Sequence, residues 1–149
     1  MKPHACDLRR GRISEPNRIY LITTVTRQRI PWFDDLLAAR ALIRALHAES
    51  RNANTLAFVV MPDHLHWLMS LSGTASLDAV VQNVKSVSSH RVNRLLQRRG
   101  PLWQPGFHDH ALRHEEDLLA TARYVVGNPI RAGLVQSIGE YPHWDAVWL

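Results

Sequence analysis

The sequence contains few of the features that mark specialised protein classes. It has one cysteine, Cys6, among 149 residues, so no internal disulfide can form, and this fits a reducing cytoplasm. Its apolar runs are shorter than the roughly eighteen residues that a membrane helix requires. Residues 1–17 are polar and basic and lack the apolar region of a secretory signal. We therefore expect a cytoplasmic protein with no membrane association.

The length and composition favour one globular unit. A chain of 149 residues that is 46% hydrophobic can build one core but is short for two domains. We expect a single domain over residues 1–149, with a basic arm at 1–17 and a C-terminal tail at 136–149. Eighteen Lys and Arg against thirteen Asp and Glu give a net charge of +5, which makes a polyanion the first partner to consider.

Hydrophobic periodicity predicts an α+β fold. The pattern indicates a strand at 18–27, a helix at 34–50, strands at 55–61 and 64–71, a helix at 76–99, a strand at 107–113 and a helix from Glu115. This order matches a ferredoxin-like or RRM-like βαββαβ antiparallel sheet with one added C-terminal helix. Two helices would cover one face of the sheet and leave the other for the last helix and a ligand.

A pair of histidines lies two residues apart in the predicted strand 64–71. Residues with that spacing share a face, so His64 and His66 project together, opposite the apolar Leu65 and Trp67. Neutral histidine is the commonest side-chain metal ligand. A pair with this spacing can also be purely structural, so the spacing alone leaves both interpretations open.

A second pair, His108 and His110, flanks Asp109 in the predicted strand 107–113. We favour a lining strand near the site, which supports it or contacts DNA, over a second metal site. Asp109 is a hypothetical acceptor that would orient a ligand histidine.

Tyr124 lies outside the apolar stripe of the last helix. At roughly 100° per residue it points about 160° away from the centre of that stripe. It shares its face with Asp117, Thr121 and, if the helix persists, Asn128. A half-exposed surface tyrosine would fit the same geometry, so the position alone does not establish a role.

Basic and aromatic residues provide candidate contacts to DNA. The arginines lie in the arm and on the second helix, where they could neutralise phosphates. For those on the helix, an ordinary solvent-exposed helix face is an equally good interpretation. Gln104 lies beside one of three candidate stacking tryptophans, for which core packing is the favoured alternative. The candidates are Arg9, Arg10, Arg12, Arg91, Arg94, Arg98, Arg99, Trp32, Trp103, Gln104 and Trp144.

Three motifs together resemble a known family. The segments VVMPDHLHWLM, WQPGFHDHALR and ATARYVVGNPIRAGLV are similar to those of single-tyrosine HUH transposases, in particular those associated with repetitive extragenic palindromes (REPs) in bacteria. The likeness extends from about Arg18 to Val135. Three separated motifs in the right order are far more specific than a histidine pair alone.

The resemblance implies an enzyme that cuts and rejoins single-stranded DNA. Tyr124 would be the nucleophile and would form a 5′-phosphotyrosine link, while His64, His66 and Asn128 would bind Mg²⁺ or Mn²⁺. The third ligand is commonly Gln in the wider family, so Asn128 is a departure. Pro129 would also bias Asn128 away from helical geometry.

The resemblance also implies a partner. The expected substrate is a single-stranded DNA hairpin of the REP type, bound by a monomer or a homodimer. The alternative function is a regulator that binds such hairpins without cutting them. An RNA-binding domain of the same topology would present aromatic residues where this sequence has His64 and His66.

Overall fold

The structure is a computed structural model that describes residues 14–15, 17–113 and 115–147. Its strands and helices are β1 (Ile19–Val25), α1 (Leu36–Ala48), β2 (Ala53–Met61), β3 (His64–Leu71), α2 (Leu77–Leu95), β4 (His108–Ala111), α3 (Glu115–Val126), α4 (Asn128–Arg131) and β5 (Trp144–Ala146). The sheet has the order β4-β1-β3-β2-β5, and every neighbouring pair is antiparallel. The predicted α+β class is confirmed.

The centre of the sheet is the β2–β3 hairpin. Pro62 and Asp63 form its turn, and Met61 pairs with His64 at the first position of β3. The Asp63 carbonyl accepts hydrogen bonds from both the backbone N–H and the hydroxyl of Thr26, which follows β1. These bonds tie the turn to the end of β1, so the histidines of β3 start from a fixed backbone.

The two faces of the sheet have separate cores. Helices α1 and α2 cover one face, where Trp67 and Leu65 are fully buried and the Trp67 indole donates to Thr55. Helix α3 covers the other face, where Val125 packs with Leu68 of β3. The alternation in β3 therefore places His64 and His66 on the α3 side, as the sequence predicts.

Helix α2 begins as predicted and ends early. Ser76 caps it by accepting a hydrogen bond from the Ala79 N–H, but the helix stops at Leu95 rather than at residue 99. Gln97 adopts a left-handed φ of 51°, and the Arg98 N–H bonds to the Asn93 carbonyl. This is a Schellman ending in which Gln97 takes the position that glycine usually fills. The pattern pointed to Gly100 because no glycine marks the real end.

The C-terminal tail predicted at 136–149 contains a strand. β5 pairs with β2, with Trp144 opposite Val59, and the Tyr141 hydroxyl donates to the Val60 carbonyl. A strand of three residues leaves almost no alternation to detect. Among the described residues, no helix has the length and apolar character needed to cross a membrane.

Candidate active site

Each of the two histidines of β3 is hydrogen-bonded through its Nδ1 atom. Their rings lie 4.9 Å apart between centroids and nearly perpendicular, at 83°. Nδ1 of His64 is 2.7 Å from an oxygen of Asp63, and Nδ1 of His66 is 2.9 Å from the Thr23 hydroxyl. Asp63 is in turn held by Arg29 at 2.9 Å. Outer partners of this kind are typical of metal-binding histidines, because they orient the ring and leave Nε2 for the metal.

The electrostatic environment favours the neutral form of His66. Burial, together with electrostatic interactions with His64 and Arg131, lowers the pKa of His66 to about 4. Neutral imidazole is the form that binds a metal. Burial would raise the pKa of Asp63, but its hydrogen bonds with His64 and Arg29 and the charges of these residues hold that pKa below its usual value. Asp63 is therefore an ionised acceptor at neutral pH.

Tyr124 lies beside this pair. Its ring centroid is 6.2 Å from that of His66, although the two residues are 58 positions apart in the chain. The side chain is 51% exposed and lines an open cleft of about 400 Å³. Asp117 and Thr121 line the same cleft, as expected for residues on the Tyr124 face of the helix. The phenol is thus accessible to a large substrate while it stays next to the histidines.

Arg131 is a residue of this site that the sequence analysis missed. Its guanidinium carbon lies 4.0 Å from the Tyr124 ring centroid, and Nη2 donates to the Tyr124 backbone carbonyl. A cation over an exposed aromatic face contributes about 0.5–1 kcal/mol. Its position seven residues after Tyr124, about two helical turns, was a signal that could have indicated the contact.

The position of Asn128 differs from the expectation. Asn128 is the first residue of α4, with Gly127 before it, so Pro129 does not exclude it from a helix. Proline is well tolerated in a first turn because its missing N–H has no helical partner there. In the described part of the chain the Asn128 side chain makes no hydrogen bond with either histidine, so its role as a ligand stays a prediction.

The second histidine pair lines the site, and Asp109 does not orient a ligand. His108 pairs with Thr23 and His110 with Leu21, so both project from the same sheet face as His66. His110 lines the cleft of Tyr124. Asp109 pairs with the buried Ile22 and therefore faces the α1–α2 side. The predicted acceptor role for Asp109 is wrong, because alternation places it on the opposite side of the sheet from His64 and His66.

Trp103 is a core residue and not a stacking surface. It is 6% exposed, its indole donates to Ser88 at 3.0 Å, and its ring packs 5.3 Å from that of Phe33. The predicted DNA contact of Trp103 is therefore wrong. Gln104, next to it, is exposed and lines a cavity of about 440 Å³ together with His108.

The loop that carries Gln104 is held by hydrogen bonds from a buried lysine. The buried Lys85 of α2 donates to the carbonyls of Gln104 and Gly106, at 2.9 and 2.7 Å. Trp144 is partly buried against the core on the α3 side of the sheet, and its indole donates to the Ile138 carbonyl.

The predicted DNA-binding arginines are not gathered at the histidines. Arg91 and Arg94 are exposed on α2 and, with Arg40 and Arg44 of α1, line a groove of about 370 Å³ on the helix layer behind the sheet. Arg99 is exposed beyond the helix end. Arg9, Arg10 and Arg12 lie outside the described residues.

Arg98 is a structural residue and does not lie on α2. Its guanidinium stacks on Trp32 at 4.3 Å, and it donates to the Asn93 side chain and to the carbonyls of Gly100 and Pro101. The predicted position of Arg98 on the helix is therefore wrong, and its contact with DNA phosphate stays a prediction.

The comparisons with known proteins agree on one family. A family model described as "Transposase IS200 like" matches residues 15–128. A REP-associated tyrosine transposase of Escherichia coli K12 is 29% identical over 87 residues, which cover 58% of this chain and 50% of that protein. A Haemophilus influenzae protein named for the same class is 28% identical over 99 residues, covering 60% and 56%. The chain thus spans about half the length of these curated relatives.

Two solved structures share the fold. The first, a REP-associated tyrosine transposase bound to a REP hairpin, is 20% identical with a TM-score of 0.72, covering 97% of this chain and 82% of that one. The second, a Deinococcus radiodurans protein described as a transposase, is 22% identical with a TM-score of 0.55, covering 84% and 95%. At these identities the likeness establishes the fold alone.

Proposed function

Because this chain belongs to the IS200-like transposase family, we propose that it is a metal-dependent enzyme that cuts and rejoins single-stranded DNA at or near palindromic hairpins. The observation that carries the proposal is the contact between Tyr124 and His66, with ring centroids 6.2 Å apart. An accessible phenol next to two imidazoles with engaged Nδ1 atoms provides a nucleophile and candidate metal ligands for phosphodiester attack.

The donor set fits a divalent ion such as Mg²⁺ or Mn²⁺. His64 and His66 would bind it through Nε2, and the Asn128 amide oxygen is the proposed third ligand. Within the described residues, no three His, Cys, Asp or Glu side chains are grouped so as to hold a metal. When bound, the ion would stabilise the charge that develops on the non-bridging phosphate oxygens.

The reaction needs one nucleophile and conserves the energy of the broken bond. The Tyr124 oxygen attacks phosphorus and loses its proton, and the bond from phosphorus to the 3′-oxygen breaks. The 3′-oxygen keeps the electron pair and takes up a proton, which gives a free 3′-hydroxyl and a 5′-phosphotyrosine. Attack by a 3′-hydroxyl on that link rejoins the strand and releases Tyr124, so nucleotide hydrolysis is not required.

We assign the substrate as a single-stranded DNA hairpin. One structural relative is a transposase bound to a REP hairpin, and this chain carries a net charge of +5. A basic surface favours a polyanion, and an open cleft beside Tyr124 admits a single strand. The active form is proposed to be a monomer or a homodimer.

Removing the Tyr124 oxygen tests the proposal. Tyr124→Phe should bind a labelled hairpin within about twofold of the parent, because only one oxygen is lost. Adduct formation should fall by about four to six orders of magnitude, as is typical when a nucleophile is deleted. The readout is a denaturation-resistant protein–DNA band with the label on the fragment 3′ to the cut.

Tyr141→Phe is the matched control, since the Tyr141 hydroxyl donates to the Val60 carbonyl and Tyr141 does not line the cleft, so this variant should keep the band. A parent protein that binds the hairpin but never yields the band would support the non-cutting regulator instead. A band from Tyr124→Phe would show that another residue is the nucleophile.

A further inference from the structure

Arg131 holds Tyr124 at two points. The guanidinium lies over the phenol ring at 4.0 Å and also donates to the backbone carbonyl of the same residue. The ring contact restrains the Tyr124 side chain, and the hydrogen bond ties the Arg131 guanidinium to α3, the helix that carries Tyr124. A half-exposed tyrosine would otherwise sample several rotamers, so these contacts restrict where its hydroxyl can be.

Gly127 provides the space for this arrangement. A Cβ atom at Gly127 would lie 2.9 Å from Nη1 of Arg131 and 2.9 Å from the Arg123 carbonyl, closer than real Cβ contacts. The backbone at Gly127 has φ −80° and ψ −5°, which any residue can adopt. The glycine is therefore explained by space and not by backbone conformation: Arg131 reaches Tyr124 across the position that a Cβ would fill.

We propose that Arg131 is a positioning residue for Tyr124, which holds the phenol for in-line attack and presents a guanidinium to the phosphate being attacked. The proposal rests on the proposed function. A guanidinium has five N–H donors, and the Tyr124 carbonyl takes one of them. Arg131 is exposed, and arginine matches phosphate oxygens with two parallel hydrogen bonds. One residue would therefore orient the nucleophile and bind its target.

The direct test separates catalysis from binding and folding. Single-turnover adduct formation, hairpin affinity and melting temperature are measured for the parent, Arg131→Ala and Arg131→Lys. We expect Arg131→Ala to slow adduct formation by about 100-fold, in the range found when one preorganised donor is lost. Hairpin affinity should stay within about threefold, and the melting temperature should fall by no more than about 4 °C, as expected for the loss of one exposed cation–π contact. Lysine keeps the charge but not the planar fork, so it should restore only part of the rate.

Chemical rescue provides a readout that a structural role would not give. Added ethylguanidinium should raise the rate of Arg131→Ala and leave the parent rate unchanged. An Arg131→Ala rate equal to that of the parent, or a loss that guanidinium does not rescue, would overturn the proposal. A parent that forms no adduct would refute the proposed function, and the role of Arg131 with it.

The Gly127 contact allows an independent test. Gly127→Ala should slow adduct formation because its methyl group displaces the guanidinium, whereas Gly139→Ala, where a Cβ meets nothing within 4 Å, should have no effect. In the Arg131→Ala background only the Arg123 carbonyl still opposes the added Cβ, so Gly127→Ala should slow adduct formation by a smaller factor there than in the parent. Losses that multiply would show that Gly127 does not act through Arg131.

Discussion

Thr23 and His66 face each other across the β1–β3 pair, with the Thr23 hydroxyl 2.9 Å from Nδ1 of His66. The next residue, Thr24, points to the opposite face, is 2% exposed, and its hydroxyl has no hydrogen-bond partner in the described part of the chain. The two adjacent threonines therefore differ in sheet face, in burial and in hydrogen bonding. One hydroxyl orients a candidate metal ligand, and the other is buried without a partner.

This difference predicts opposite results for two matched variants. Thr23→Val removes the partner of His66 and should weaken Mn²⁺ binding by about 10–100-fold, the usual effect of losing an outer partner of a metal ligand. Thr24→Val removes an unsatisfied buried hydroxyl, so it should leave Mn²⁺ affinity unchanged and be neutral or stabilising by about 1 kcal/mol. Metal titration and thermal unfolding measure the two effects. Equal Mn²⁺ affinities in the two variants would contradict the role of Thr23.

The sequence predicted most of the fold because periodic segments carry local information. The β2–β3 hairpin and the Ser76 cap follow from residues close together in the chain. The end of α2 was misplaced because Gln97 adopts a left-handed conformation, which a glutamine in the sequence does not indicate. β5 was missed because its formation depends on pairing with β2 rather than on a pattern of its own.

The sequence predicted only those features of the candidate site that depend on a single strand or a single helix. Alternation along a single strand placed His64 and His66 together, and helical spacing placed Tyr124 on an open face. The partner Thr23 lies 43 residues from His66, and only the strand register brings them together. Asp109 was misassigned although alternation along its own strand already placed it on the face opposite His108 and His110.

The arginines of the helix layer give a prediction about salt dependence. If Arg94 contacts DNA phosphate, Arg94→Gln should reduce the slope of log affinity against log salt by about 0.7 to 0.9, the value for one phosphate contact. Arg98→Gln should leave the slope unchanged and lower the melting temperature, because Arg98 is engaged with Trp32 and the end of α2. Fluorescence anisotropy of a labelled hairpin at several salt concentrations measures the slope. An unchanged slope in Arg94→Gln would exclude this residue from the DNA interface.

The final prediction concerns which histidine pair binds the metal. His64 and His66 on β3 and His108 and His110 on β4 have the same spacing and project from the same sheet face. Spacing and orientation therefore cannot separate the two pairs. Hydrogen bonding does, because the β3 histidines are fixed through Nδ1 by Asp63 and Thr23. The described contacts include no such bond for the β4 pair.

Histidines without outer partners lose rotamer freedom when they bind an ion, and this entropy cost weakens binding. The β3 histidines are already held by hydrogen bonds, so we expect them to bind the ion more tightly than the β4 pair. Chelation should stop adduct formation by the parent, and Mn²⁺ should restore it. His66→Ala should lose measurable Mn²⁺ binding and most of the adduct even with added Mn²⁺, because one of two histidine ligands is gone. His108→Ala/His110→Ala should keep Mn²⁺ affinity within a few fold, since these residues line the site without binding the ion. If the double variant lost Mn²⁺ as completely as His66→Ala, the metal would belong to β4 or to both strands, and the assignment to β3 alone would be wrong.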